Sequence, residues 1–210
     1  MEKMEKYVSL TFDDGPNLND DHTMNDMLDI LEKHGVKASF FLIGNKITES
    51  NKAVITRAFK MGCDIENHSW THPNMTDLTE RQIREEYEKC DQAIIEITGK
   101  KPEFFRPPYI AVNDLMHQVI PTPFIQGFGC EDWEDSVSSD ERLKRMFEAT
   151  KDGILYLLHV MEGNTKTLEA VDRIIPMLKD QGYTFVTVPE MFKLKGINDK
   201  GHSGKLYTYL

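Results

Sequence analysis

Apolar and polar positions along the chain follow two different periods. Short runs of β-branched and aromatic residues stand at Tyr7 to Phe12, Ala38 to Ile43, Cys63 to Glu66, Glu103 to Phe105, Phe124 to Gly127, Ile154 to Leu158 and Tyr183 to Val188, and these are expected to be strands. Between them, apolar residues recur at helical spacing. Met24, Met27, Leu28 and Leu31 mark one face, and Val54, Ile55, Ala58 and Phe59 mark another that stops at Gly62. The next helix has the clearest limits. Thr79 and Gln82 stand at capping-box spacing, Leu78 and Ile83 can form a hydrophobic staple, and Ile83, Tyr87, Cys90, Ile94 and Ile97 carry the stripe to Gly99. Later helices are predicted around Leu143, Met146 and Phe147, and around Leu168, Val171, Ile175 and Leu178 before Gly182. Pro176 is expected to kink or split the last one.

Strands alternating with helices predict an α/β domain with about seven parallel strands, arranged as an open sheet or as an incomplete barrel. Periodicity does not choose between the two. No repeat and no Pro/Gly/Ser-rich linker divides the chain, so residues 1–210 read as one domain, with only the segment from Asn198 to Leu210 loosely patterned.

Composition narrows the partners. Asp and Glu outnumber Lys and Arg by 35 to 25, for a net charge of −10, which leaves no basic footprint for nucleic acid or anionic lipid. No uncharged apolar run approaches the roughly 20 residues of a membrane span. The start, MEKMEKYVSLTF, carries no apolar leader, so the chain reads as soluble, secreted if a leader was trimmed and cytoplasmic otherwise. A monomer is expected. A chain of 210 residues buries enough core to need no disulfide or structural metal, so Cys63, Cys90 and Cys130 read as buried thiols and any metal as chemical.

Active-site side chains of parallel α/β folds gather at the carboxyl ends of strands. Asp13 and Asp14 follow the first predicted strand, His68 and His72 the third, Arg106 the fourth, Asp132 and Trp133 the fifth, and His159 ends the sixth. Each alone has a plainer explanation. Asp-Asp-Gly-Pro at Asp13 to Pro16 is most often a turn, although a strand end there points two adjacent carboxylates in different directions. His68 and His72 stand four apart, the spacing of one side of a helical turn, though Pro73 ends any helix soon after. With a carboxylate from another strand end they make a two-His, one-carboxylate set of the kind that binds catalytic zinc with an open position, and that also suits iron, cobalt or manganese. Arg106, in FFRPPY, is a surface salt bridge or a fixed cation that lowers the pKa of a site carboxylate. Asp132 and Trp133 are a loop acid and a core indole, or else Asp132 raises the pKa of His159 and keeps it protonated as a general acid. His22, His34, His117 and His202 lack such company and read as surface or capping residues.

Together these residues resemble the polysaccharide deacetylase family, carbohydrate esterase family 4, whose catalytic unit is the NodB-type domain. TFDDGP at Thr11 to Pro16, HSWTH at His68 to His72, RPPY at Arg106 to Tyr109, DW at Asp132 and Trp133, and LLH at Leu157 to His159 are similar to its five motifs in order. The resemblance implies a deformed, incomplete (β/α) barrel. It also implies a role for each position: Asp13 as catalytic base, oriented by Arg106; Asp14, His68 and His72 as ligands of one divalent metal, zinc first, with cobalt, iron, manganese or nickel as alternatives; Tyr109 as a backbone donor to the oxyanion; Trp133 and Leu157 as walls for the acetyl methyl; and Asp132 as the partner of His159, the general acid. One position departs from the pattern, since Val160 stands where the fifth motif often has Asp. The polar, acidic loop from Leu18 to His22 bears on substrate choice.

The implied reaction is hydrolysis of acetyl groups on a polysaccharide or oligosaccharide. The stretch EDWEDS, Glu131 to Ser136, favours O-deacetylation of acetylated xylan. N-deacetylation of chitin oligomers or peptidoglycan amino sugars is the enzymatic alternative, and a sugar-binding protein that keeps the barrel is the non-enzymatic one.

Overall fold

In the computed structural model, residues 5–18 and 22–210 are described. Met1 to Met4, the start of the stretch read for a leader, and Asn19 to Asp21, the acidic part of the loop after the first motif, lie outside them. The strands are β1 (Lys6–Asp13), β2 (Ser39–Leu42), β3 (Asp64–Asn67), β4 (Phe124–Ile125), β5 (Phe128–Gly129), β6 (Ile154–His159), β7 (Tyr183–Phe185) and β8 (Leu206–Tyr207). The α-helices are α1 (His22–His34), α2 (Lys52–Lys60), α3 (Glu80–Thr98), α4 (Asp114–Val119), α5 (Ser139–Ala149), α6 (Thr165–Asp180) and α7 (Val188–Leu194).

Every strand ladder is parallel. The main sheet runs β3-β2-β1-β6-β5, and β7 also pairs with β1, along Lys6 to Val8, while β2 pairs with it along Thr11 to Asp13. β4 and β8 form a separate pair. A single bridge residue, Phe105, links Asn67 of β3 to Phe124 of β4. The sheet therefore curls into an incomplete barrel, as the resemblance implied.

Alternation along the strands sorts the core into two layers. Val8, Leu10, Phe12, Phe40, Leu42, Ile65, Tyr156 and Leu158 face outward and pack under α1, α2, α3, α5 and α6. Phe41, Phe104, Ile125 and Leu155 face inward, where Val188, Met191 and Phe192 of α7 close the bottom. Each of these buried side chains contributes on the order of 1.5–3 kcal/mol, so α7 is a structural plug, away from the strand ends that carry the chemistry.

Five expectations change in detail. Glu103 to Phe105 is no regular strand, because the buried Glu66 carboxylate accepts the backbone N–H groups of Glu103 and Phe104 that a ladder would use. The run from Tyr183 to Val188 leaves the sheet after Phe185, because Thr187 and Glu190 form a capping box that starts α7. Phe124 to Gly127 is divided at Gly127, whose φ is +81°, with β5 beginning at Phe128. α6 is not split at Pro176, since Ile174, Ile175 and Leu178 are buried on both sides of it. The loosely patterned tail supplies β8, beside β4. Among the described residues no helix is long and apolar enough to cross a membrane.

Candidate active site

A cavity of about 420 Å³ opens where the strands end, lined by Asp13, Asp14, His68, His72, Tyr109, Trp133, Leu157 and His159 together with Pro107 and Ile110. Arg106 and Asp132 stand directly behind it, each bonded to a lining residue. All ten residues singled out from the sequence are thus gathered in one place.

β1 delivers the two carboxylates differently. Asp13 ends the strand facing inward and is almost fully buried, with Oδ1 accepting from Arg106 Nη1 at 2.6 Å. Burial pushes its carboxyl up; Arg106 lowers this pKa, as expected of a fixed cation, and His159 pulls the same way, but desolvation outweighs both and the net shift is upward. Arg106 is itself fully buried, lies 4.2 Å over the Phe41 ring and donates through Nε to Ile125 O. Gly127 makes room for it: a Cβ there would sit 3.1 Å from Arg106 Nη2. Asp14 turns away with a left-handed φ of 72°, its carbonyl taking a hydrogen bond from Lys46 Nζ.

His68 and His72 do not lie on a helix. After β3, Ser69 and His72 take left-handed φ values of 68° and 61°, and the turn is pinned by side chains. Ser69 N–H donates to Asn67 Oδ1, His72 N–H donates to Ser69 Oγ, and Thr71 donates twice to Glu86. His68 Nδ1 is 2.7 Å from Arg106 O. A carbonyl only accepts, so Nδ1 carries the proton and Nε2 presents its lone pair to the cavity. Burial drives the His68 pKa down to about 3 and also lowers that of His72, against the pull of Asp14. Both Nε2 atoms stand 3.6 Å from Asp14 Oδ1, which is buried without a hydrogen-bond partner. The three ligand atoms lie within 4.8 Å of one another. An orphaned carboxylate oxygen facing two neutral imidazoles fits a divalent cation and leaves room for further ligands.

Across the cavity, His159 is level with Asp13 in the β1–β6 register. Its Nδ1 lies 2.8 Å from Asp132 Oδ1, and its backbone N–H donates to Asp132 Oδ2 at 2.7 Å. Burial opposes protonation of this ring, but Asp132 outweighs it and the pKa is raised. Trp133 is half exposed and meets the His159 ring edge-on at 5.5 Å. Gly129 permits this, since a Cβ there would stand 3.2 Å from the indole. Leu157 is buried, and Tyr109 projects into solvent at 69% exposure with its ring 4.7 Å from His72.

A family model for polysaccharide deacetylases matches residues 1–121. The chain belongs to the polysaccharide deacetylase family. Among relatives, it is 46% identical over 194 residues to a bifunctional xylanase/deacetylase of Pseudobutyrivibrio xylanivorans, covering 92% of this chain and 32% of the relative. It is 32% identical over 206 residues to a peptidoglycan-N-acetylglucosamine deacetylase of Listeria monocytogenes, covering 98% and 42%. The chain thus spans about a third to two-fifths of these relatives. Among solved structures, a family 4 acetyl xylan esterase from Clostridium thermocellum in complex with a cobalt ion superposes with a TM-score of 0.93 at 35% identity, covering 98% of this chain and 99% of that one.

Asp132, Trp133, Leu157 and His159 lie beyond the residues matched to the family model, yet they share the cavity with those inside it. Sequence reasoning missed the residues that hold the site in shape: Lys46, Asn67, Glu86, Gly127 and Gly129, and behind Asp132 the side chains of Arg142, Asn164 and Thr167. Their residue types carry no signal without the contacts. Val160, the departure from the fifth motif, is buried beside Gly15. Of the histidines set aside, His34 pairs with Asp172 and His117 stacks on the core ring of Phe124. The three cysteines are buried and free, and burial pushes the Cys63 thiol up to about 11.

Proposed function

We propose that this chain is a metal-dependent carbohydrate deacetylase that hydrolyses acetyl groups, with O-acetylated xylan as the preferred polymer. The observation that carries the reading is the orphaned Asp14 oxygen facing two neutral imidazoles, set between a buried carboxylate and a carboxylate-bound histidine. Asp14, His68 and His72 would hold the cation, for which zinc is the first expectation and cobalt, bound by the esterase relative, the second. The chemistry it supplies when bound is Lewis-acid polarisation of the acetyl carbonyl and acidification of water.

The protein's own residues divide the remaining work. Asp13 takes a proton from the attacking water, and the upward push of burial makes it a stronger base than a solvated carboxylate. Arg106 holds Asp13 Oδ1, leaving Oδ2 as the basic oxygen. The backbone N–H of Tyr109 would donate to the oxyanion as the carbonyl becomes tetrahedral, a contact of a kind worth about 3 kcal/mol. Trp133 and Leu157 provide the apolar walls for the methyl group. His159 gives its proton to the departing sugar oxygen or nitrogen as the acyl bond breaks, releasing acetate and a free hydroxyl or amine.

The enzymatic alternative, N-deacetylation of amino sugars, draws on the likeness to the peptidoglycan deacetylase. Acetate release from acetylated xylan, chitin oligomers and peptidoglycan, each with zinc, with cobalt and with a chelator, tests the proposal. The expected result is metal-dependent release, greatest from xylan. Greatest release from either amino sugar polymer reverses the substrate assignment, and no release from any of the three favours a sugar-binding protein.

A further inference from the structure

Arg142, on α5, is 1% exposed and satisfied entirely by neutral oxygens. Its Nε donates to Val137 O at 3.0 Å and Nη2 to Glu134 O at 3.0 Å, while Nη1 donates to both Asn164 Oδ1 at 2.5 Å and Thr167 Oγ1 at 2.8 Å. Thr167 Oγ1 in turn donates to Asp132 Oδ2 at 3.0 Å, and Asn164 Nδ2 donates to His159 O at 3.0 Å, with a longer contact of 3.5 Å to Asp132 Oδ2. A guanidinium has only donors. The Thr167 hydroxyl must therefore accept from Arg142, so its single proton goes to Asp132. The Asn164 amide is fixed in the same way, oxygen toward Arg142 and nitrogen toward His159.

Asn164 adds an independent sign. It occupies the N-cap of α6, where an Asn side chain ordinarily accepts a backbone N–H of the first turn and stabilises the helix by about 1 kcal/mol. Here it makes no such bond and turns to Arg142 and His159.

We propose that Arg142, Thr167 and Asn164 are positioning residues for His159, forming a directed hydrogen-bond relay from a buried cation that locks the Asp132 carboxylate and, through it, the tautomer and orientation of the imidazole. The proposal rests on the general-acid role given to His159 above. It gives α5 and the first turn of α6, neither of which lines the cavity, a part in the protonation of the leaving group.

The test uses Thr167→Val, nearly isosteric, because Arg142→Met leaves four acceptors without their donor and risks unfolding. Proton NMR reads the His159 Nδ1–H resonance, assigned by its absence in His159→Ala. It is expected to be sharp in the wild type, broadened by solvent exchange in Thr167→Val and restored in Thr167→Ser. The metal-loaded variants are then compared on two esters. With an O-acetylated methyl xyloside, whose alkoxide needs a proton to leave, kcat should fall roughly ten-fold in Thr167→Val at unchanged KM. With 4-nitrophenyl acetate, whose leaving group needs none, turnover should change less than about two-fold. An unchanged resonance in Thr167→Val, or equal losses on the two esters, overturns the proposal. A wild type that releases no acetate from the xyloside, while its resonance still responds to Thr167→Val, sinks the deacetylase reading and leaves the relay standing.

Discussion

The two sides of the cavity are built from the same residue types, yet their histidine pKa values are shifted in opposite directions. On one side, His68 Nδ1–H donates a hydrogen bond to a backbone carbonyl, and burial lowers the ring's pKa to about 3. On the other, His159 Nδ1–H donates a hydrogen bond to the Asp132 carboxylate, and the pKa rises despite similar burial. In the proposed mechanism, the partner of the far ring nitrogen suits one buried histidine to metal ligation and the other to acid catalysis. The carboxylates differ in the same way. Asp14 Oδ1 has no hydrogen-bond partner, whereas Asp132 accepts from the ring and backbone of His159, from Thr167 and from Asn164. An unsatisfied carboxylate invites a cation, and a saturated one stays fixed.

The largest effect is expected from removing the ligand side. His68→Ala should abolish tight zinc binding, read by calorimetry, and bring acetate release down to the chelated background. Breaking the acid side costs less. Asp132→Asn removes the charge that raises the His159 pKa, so kcat should fall by about 10²-fold and the alkaline limb of its pH profile should move to lower pH. The same variant sharpens the sign of a stability term. Because the folded-state pKa of His159 is raised, its contribution to stability is complete below the unfolded value and is lost as pH rises through the folded one. Denaturant midpoints measured across that window should slope in the wild type and flatten in Asp132→Asn. The smallest effect is expected at the wall between the two sides. Trp133→Ala should weaken KM by roughly five-fold with little change in kcat, the scale of one aromatic contact.

The division between ligand and acid was only partly legible in the sequence. Apolar runs ending in a reactive residue located β1 and β6 and placed Asp13 and His159 at their ends, because burial on both faces of a parallel sheet writes continuous hydrophobic runs, whereas β3, read only from Cys63 and Ile65, is three-quarters polar. The four-residue spacing of His68 and His72 pointed to a helical turn, and the chain instead uses two left-handed residues pinned by Asn67, Ser69 and Glu86. Spacing carries no information about a turn held by side chains from other segments. Glu103 to Phe105 lost its strand to the Glu66 carboxylate and the tail gained β8, both through contacts between residues far apart in the chain. Arg142 is the clearest case. On a helix that carries Asp140, Glu141, Lys144, Arg145 and Glu148 beside it, nothing in the residue type sets it apart from a solvated charge, and only the fold shows it buried against Thr167 and Asn164.

The central claim is that one side of the cavity holds a metal while Asp13, one residue from a ligand, handles protons instead. Asp13→Asn, measured by zinc calorimetry and by acetate release on the same preparation, tests it most directly. The account predicts zinc binding close to wild type with release reduced by about 10²- to 10⁴-fold. Release that survives the substitution, or zinc binding lost along with it, would contradict the account.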